Sequence, residues 1–125
     1  MRRPGIIIPL IFLVISACSR VETLSPERAA AMIESGGVIV VDIRDPKKFA
    51  DGHIEGAINA EYHPKTFARD TEQIDKNAAI ILYCSMGLKT KKAVRELERR
   101  GFARVYAMEG GIEAWRNAGF PVSGR

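Results

Sequence analysis

The chain has 125 residues, of which 46% are hydrophobic, and its formal net charge is +4. This length suits one compact domain with a modest core, and the sequence holds neither internal repeats nor low-complexity tracts. Two of the positive charges, Arg2 and Arg3, lie in a segment that we expect to be removed, which leaves a net charge of about +2. So small and scattered a charge argues against nucleic acid as a partner.

The N-terminal segment has the layout of an export signal. Arg2 and Arg3 form a short basic region, and the stretch from Ile6 to Ile15 is apolar apart from Pro9. A secretory signal peptide has this order of charge, apolar core and small-residue cleavage site. Because the apolar stretch is shorter than the ~20 residues that span a bilayer, a permanent transmembrane helix is not expected.

Residues 15–18, Ile-Ser-Ala-Cys, resemble the lipobox of bacterial lipoproteins. The resemblance implies cleavage before Cys18 and lipid on its sulfur and amino group, and several acyl chains would anchor the protein stably. Ser19 rather than Asp follows Cys18, which in enterobacteria indicates the outer membrane. The alternatives are an uncleaved signal anchor and ordinary secretion with a free Cys18. We therefore expect a protein of the bacterial cell envelope that faces the periplasm. Its expected segments are a signal peptide at residues 1–17, a short tether at 18–23, the folded domain at 24–122 and a tail at 123–125.

Cysteine usage then directs attention to one residue. If Cys18 carries lipid, Cys84 is the only remaining cysteine of the mature chain. Exported proteins usually pair their cysteines, so a lone thiol in an oxidising compartment indicates a chemical role. Cys84 is therefore the candidate nucleophile.

From Ser25 onwards, helical and strand patterns alternate along the chain. Ser25 as N-cap and Pro26 at the first helical position predict a helix that ends at Gly36, and Val38 to Ile43 is a β-branched run typical of a buried parallel strand. The other predicted elements are a short helix between Asp45 and Gly52, an extended piece reaching Ile58, strands over residues 78–83 and 103–106, and helices over residues 88–99 and between Gly111 and Gly119. This alternation predicts an α/β fold with a mainly parallel central sheet flanked by helices.

The loop that starts at Cys84 follows a predicted strand and precedes a predicted helix. Open α/β sheets place ligand sites at such carboxyl ends of strands. A tight loop there turns successive backbone N–H groups inward and adds the positive end of the helix dipole, so the pKa of a thiol at its mouth should fall. Gly87 permits unusual backbone angles, Lys89 adds positive charge, and Thr90 either gives its hydroxyl to the loop or caps the helix. The predicted binding loop comprises Ser85, Met86, Gly87, Leu88, Lys89 and Thr90.

The pattern Cys-x-x-Gly-x-Lys-Thr of residues 84–90 resembles the active-site loop of the rhodanese family of sulfurtransferases. Further stretches resemble signatures of that family, in the family's order, at residues 41–44, 52–59, 105–115 and 118–122. The resemblance extends from about Leu24 to Val122 and implies a single rhodanese-like domain.

The family's chemistry implies that the Cys84 thiolate takes the sulfane sulfur of a small donor such as thiosulfate and forms a persulfide. A thiophilic acceptor, which is cyanide, a thiol or an exported acceptor protein, then removes that sulfur. No metal or organic cofactor is implied. Asp42 is expected to support the site as a structural hydrogen-bonder, and Arg44 either shapes the pocket or pairs with a carboxylate. Lys89 stands where the family usually has Arg, so the planar two-pronged grip on an oxyanion such as thiosulfate is lost.

Three other functions are alternatives to sulfur transfer. A non-catalytic rhodanese-like module would carry sulfur or bind a partner without turnover. A cysteine phosphatase or arsenate reductase needs Cys-x5-Arg, whereas Thr90 occupies that position. A thiol–disulfide oxidoreductase needs a resolving cysteine, and the chain has no Cys-x-x-Cys pattern. Two isolated histidines make no metal site, and the Lys/Arg cluster from Lys89 to Arg100, interleaved with Glu96 and Glu98, is interpreted as a solvated helix face.

Overall fold

The computed structural model describes residues 2–10 and 20–124. Residues 2–10 form neither helix nor strand, and no helix in the two described ranges is long and apolar enough to cross a membrane. Cys18 and the cleavage site predicted before it lie outside the described residues, so the lipoprotein signal stays a prediction. Five strands and five helices are described: β1 Glu22–Leu24, α1 Pro26–Ser35, β2 Val38–Asp42, α2 Pro46–Asp51, β3 Ile58–Asn59, α3 Phe67–Thr71, β4 Ala79–Tyr83, α4 Thr90–Arg99, β5 Arg104–Met108 and α5 Gly111–Asn117.

The strands form one sheet in the order β1-β5-β4-β2-β3, and every neighbouring pair in it is parallel. Strand β4 is the central strand, and all five of its residues are buried because both faces of the sheet are covered. Alternate β4 side chains enter two separate cores: Ile80 and Leu82 pack with α3 and α4, and Ile81 and Tyr83 pack with α1 and α5. The predicted α/β fold with a parallel central sheet is confirmed.

The local signals read from the sequence set the ends of several elements. The Ser25 hydroxyl accepts a hydrogen bond from the Arg28 N–H at 3.2 Å, and Pro26 opens α1. The Asp45 carboxylate caps α2 in the same way, accepting from the Lys48 N–H at 2.9 Å. These caps fix where the two helices begin, and the predicted start of α1 at Pro26 is confirmed.

Five features of the fold differ from the sequence prediction. Strand β1 and helix α3 were not predicted, and residues 22 and 23, expected in a tether, pair with β5. Helix α4 begins at Thr90 rather than at Leu88, because residues 84–89 are used by the loop, and β5 continues to Met108. Ser123, expected in a tail, exchanges backbone hydrogen bonds with His53. Strand β1 is only three residues long and exists through its pairing with a distant strand, which local pattern does not reveal.

Candidate active site

Cys84 lies directly after the carboxyl end of the central strand β4 and lines a cavity of about 250 Å³. Its side chain is nearly buried, with 6% of its surface exposed. This position follows from the topology, since the residues after the parallel strands β2 and β3 lie at the same sheet edge as Cys84 and also line the cavity. The site therefore stands at the end of the sheet where the sequence placed it.

Two hydrogen-bond donors converge on the Cys84 sulfur. The Gly87 backbone N–H lies 3.1 Å from Sγ, and the Thr90 hydroxyl lies 3.0 Å from it. Gly87 has a φ of +88°, a left-handed conformation that allows the loop to fold back over the thiol. The Thr90 hydroxyl was predicted either to bond within the loop or to cap the helix. It does the former, since it donates to the thiol and α4 has no side-chain cap.

These contacts lower the pKa of the Cys84 thiol. Burial acts in the opposite direction and would raise the pKa, since an apolar surrounding disfavours the thiolate. The hydrogen bonds from Thr90 and Gly87, together with the nearby backbone N–H groups of Lys89 and Met86, stabilise the thiolate and outweigh burial. The loop therefore favours the nucleophilic form of the sulfur, as its sequence predicted.

Replacement of Thr90 by Val should raise the pKa of Cys84, because the variant loses the strongest stabilising hydrogen bond to the thiolate. At neutral pH the thiolate fraction then falls, and we expect alkylation by iodoacetamide to slow by roughly three- to tenfold. The measurement is the alkylation rate against pH, whose midpoint should move to higher pH.

A matched control for this variant is Thr71→Val, which removes another buried hydroxyl, one that bonds to the Phe67 carbonyl oxygen and to Arg100 and not to the thiol. Thr90→Ser keeps the hydroxyl and should restore the original midpoint. An unchanged midpoint in Thr90→Val would show that the Thr90 hydroxyl does not stabilise the thiolate.

Helix α5 supports the loop from behind. The N–H groups of Ile112 and Glu113, in its first turn, donate to the carbonyl oxygens of Cys84 and Ser85 at 2.9 and 3.2 Å. Gly111 sits against these two carbonyl groups with no room for a side chain, since a Cβ there would lie 2.5 Å from the Ser85 carbonyl oxygen. From the sequence, Gly110 and Gly111 were predicted only to separate β5 from the last helix. A Gly-Gly pair before a helix also permits close approach of two backbone segments, and this was the signal from which the contact could have been predicted.

Asp42 and Arg44 form a buried ion pair beside the cavity. Arg44 donates from Nε to both carboxylate oxygens of Asp42 and from a terminal nitrogen to Oδ2 at 2.7 Å. The same terminal nitrogen donates to the Gly52 carbonyl oxygen, and the Asn59 side-chain amide donates to the carbonyl oxygens of Asp42 and Arg44. Asp42 is thus a structural hydrogen-bonder, and Arg44 both pairs with it and lines the cavity. The pair ties β2 to the end of α2.

The network continues to Tyr83, the residue before Cys84. The Ile54 N–H donates to its hydroxyl oxygen at 3.0 Å, and the Arg44 guanidinium lies 5.9 Å from the centre of its ring. Burial and the neighbouring Asp42 carboxylate raise the pKa of the Tyr83 phenol far above its ordinary value. Tyr83 is therefore neutral and anchors the end of β4 rather than exchanging protons with a substrate.

The cavity walls contain residues that the sequence did not single out. Asp45, Lys48, Glu61 and Tyr62 contribute to the wall opposite the loop, from the segments after β2 and β3. These residues follow parallel strands that end at the same sheet edge as Cys84. Their proximity to Cys84 could not be predicted from the sequence, because long connections separate them from it in the chain.

Four residues of the predicted binding loop line the cavity, and they are Ser85, Met86, Leu88 and Lys89. The other two, Gly87 and Thr90, donate hydrogen bonds to the Cys84 sulfur. Met86 and Leu88 stand at the mouth with 57% and 79% of their surfaces exposed. No group of three or more metal-ligating side chains occurs among residues 2–10 and 20–124.

The two histidines lie away from the sulfur. His53 is a turn-fixing residue: its ring stacks on Phe49 at 3.8 Å, and its Nδ1 lies 2.7 Å from the Phe49 carbonyl oxygen. His63, for which the sequence gave no partner, accepts a hydrogen bond from the Lys65 N–H at 3.1 Å. Both contacts fix loops and give neither histidine a role at the thiol.

Comparison with known proteins agrees with this geometry. Residues 25–118 match the rhodanese-like domain family. The thiosulfate sulfurtransferase GlpE of Pseudomonas entomophila is 37% identical over 99 residues, which cover 79% of this chain and 88% of that protein.

Solved structures give the same comparison in three dimensions. The rhodanese-like domain of an Anabaena protein has a TM-score of 0.76 at 26% identity, covering 85% of this chain and 81% of that one. A protein from Bacillus halodurans has a TM-score of 0.74 at 32% identity, covering 82% and 77%. The likeness therefore spans the sheet, the helices and the loop that holds Cys84.

Proposed function

This chain belongs to the rhodanese-like domain family, and we propose that it is a sulfurtransferase that carries a sulfane sulfur as a persulfide on Cys84. The observation that supports this most directly is a buried thiol with a lowered pKa that receives hydrogen bonds from Gly87 and Thr90. The relatives whose names state thiosulfate sulfurtransferase activity support the same reaction class.

In the first half-reaction the Cys84 thiolate attacks the outer sulfur of thiosulfate. A new S–S bond forms to Sγ, the S–S bond of the donor breaks, and sulfite leaves with the electron pair. The N–H groups that hold the thiolate face the same space and would hold the terminal persulfide sulfur. Lys48 and Lys89 line the cavity and supply positive charge for an anionic donor.

In the second half-reaction an acceptor, cyanide or a thiolate, attacks the terminal sulfur and Cys84 leaves as a thiolate. Because the sulfur remains on the enzyme between the two steps, we expect ping-pong kinetics. The arrangement does not favour phosphatase chemistry, because the position of the required arginine is taken by Thr90, whose side chain is buried against the thiol.

The test is the intact mass of the protein beginning at Ser19, before and after incubation with thiosulfate. We expect a gain of one sulfur atom, which cyanide then removes as thiocyanate. No gain would reject thiosulfate as donor. A gain that neither cyanide nor a thiol can remove would reject turnover and favour a sulfur-carrier or binding role.

We further propose that the chain is a lipoprotein of the bacterial envelope, with lipid on Cys18 and the domain facing the periplasm from the outer membrane. Replacement of Cys18 by Ser should move the protein from the membrane fraction to the soluble fraction, because the acyl chains are its anchor. Membrane fractionation of cells expressing the full chain measures this. Cys84→Ser is the matched control and should stay with the membranes; a Cys18→Ser variant that also stays there would overturn the anchor.

A further inference from the structure

The net positive charge of this chain arises from one segment, which comprises helix α4 and the residues at its two ends. The segment from Lys89 to Arg100 contains six Lys or Arg residues and two Glu residues, a formal charge of +4. This equals the formal charge of the whole chain, so all other residues together are neutral. The net charge, expected to be scattered, therefore belongs to α4 and the residues at its two ends.

Helix α4 presents this charge to solvent. Its buried residues are Thr90, Ala93, Val94 and Leu97, and they pack inward. The opposite side of the helix carries exposed basic side chains, which we call the basic face: Lys91, Lys92, Arg95 and Arg99. Arg100 does not belong to it, since it turns onto α3 and donates to the Thr71 hydroxyl at 2.8 Å.

The basic face has no internal neutralisation. Glu96 and Glu98 alternate with the basic residues in the sequence, but neither forms a salt bridge within the part of the chain that the structure describes. The ion pairs found there are Arg44–Asp42 and Arg69–Asp70, both outside α4. Four like charges on adjacent turns repel one another, which an acidic partner would relieve.

The basic face leads to the candidate active site. Helix α4 begins where the loop ends, and Leu88, Lys92, Arg95 and Arg99 follow one another at helical spacing of three or four residues. Leu88 and Met86 are the exposed apolar residues at the mouth of the cavity that holds Cys84. An apolar spot with a charged flank, next to a reactive sulfur, has the composition of a small protein-docking surface.

From these observations we propose that the sulfur acceptor is a protein whose thiol lies on an acidic surface, and that it docks along the basic face of α4. The proposal rests on the proposed sulfurtransferase function. The stretch from Leu88 to Arg99 is about 16 Å long, which exceeds any small donor or acceptor ion. The docked thiolate attacks the terminal sulfur of the Cys84 persulfide, a new S–S bond forms on the acceptor, and the electron pair of the broken bond returns to Cys84. No oxidant or reductant is consumed.

The experiment uses the full chain in a non-ionic detergent, loaded with sulfur by thiosulfate. Two synthetic peptides serve as acceptors; each contains one cysteine and one leucine, and one has glutamates where the other has glutamines. The measured quantity is the ratio of their second-order transfer rates. We expect the acidic peptide to react about tenfold faster at low ionic strength, and the ratio to fall towards one as salt is added.

Two charge-matched variants locate the effect. Lys92→Glu with Arg95→Glu reverses the basic face and should abolish the preference for the acidic peptide. Arg28→Glu with Lys65→Glu changes the net charge equally at exposed positions outside α4, and should preserve the preference. Transfer to cyanide should stay unchanged in both variants, since none of the four residues lines the cavity.

Each outcome has a distinct meaning. If the unmodified chain transfers sulfur to cyanide but reacts equally with both peptides, the docking proposal is overturned and the proposed function stands. If it transfers no sulfur to cyanide or to either peptide, both are overturned. A third outcome is that the two peptides react at equal rates while the chain binds phosphatidylglycerol vesicles, and the Lys92→Glu, Arg95→Glu variant does not. This result would overturn the proposal of an acidic protein partner and would show that the basic face binds a membrane surface.

Discussion

Replacement of Cys84 by Ser should abolish sulfur transfer and leave the fold intact. The hydroxyl is a much weaker nucleophile than the thiolate, and no second cysteine of the folded domain can replace it. Loss of a catalytic nucleophile typically costs about 10⁴-fold or more in turnover. Serine fits the same space and can still accept from the Gly87 N–H and the Thr90 hydroxyl, so the free energy of unfolding should change by only about 1 kcal/mol.

Intact mass after thiosulfate treatment and a thiocyanate assay measure the two half-reactions of this variant, and urea unfolding measures its stability. Thr71→Val serves as a control for a change at a buried polar residue elsewhere in the fold. A sulfur adduct or residual turnover on Cys84→Ser would contradict the persulfide mechanism. A collapsed fold would instead show that the thiol has a structural role.

Replacement of Gly111 by Ala should damage both stability and activity. Gly111 has a φ of +62°, a left-handed conformation that costs alanine about 1–2 kcal/mol. The added Cβ would also overlap the carbonyl groups of Cys84 and Ser85, which are backbone atoms and can yield only by moving the loop. We expect a loss of more than about 3 kcal/mol in the free energy of unfolding, and a large loss of sulfur transfer even where the protein is folded.

Gly37→Ala is the matched control for this prediction. Gly37 also has a positive φ, +76°, but a Cβ there meets nothing within 4 Å. It should therefore lose only the conformational component, about 1–2 kcal/mol, and keep full activity. Equal destabilisation by the two substitutions in urea unfolding would show that α5 does not need its close approach to the loop.

The sequence predicted the parts of this fold that depend on local signals. Ser25 and Asp45 cap helices through their own side chains, and the run of apolar β-branched residues in β2 marks a strand buried on both faces. The position of Cys84 at the end of β4 followed from the same alternation of elements. Local rules were sufficient here because the strand, the loop and the helix are consecutive in the chain.

The parts that the sequence did not predict depend on distant partners. Helix α3 has five residues and no side-chain cap, and it is held by the burial of Phe67 and by Arg100 from α4. Lys48 and Glu61 reach the cavity only because β2 and β3 end at the same edge as β4. The support of the loop by Gly111 likewise arises from tertiary packing, for which the Gly-Gly pair is only an indirect sign.

The depth at which Cys84 lies sets a size limit on what can reach its sulfur. With 6% of the side chain exposed, the bare thiol is open to small ions but shielded from contact with bulky disulfides. In the proposed persulfide the added sulfur would lie about 2 Å beyond Sγ, which is the length of an S–S bond. The proposed persulfide would therefore be easier for a large acceptor to reach than the empty thiol, so that sulfur loading itself would control which molecules Cys84 meets.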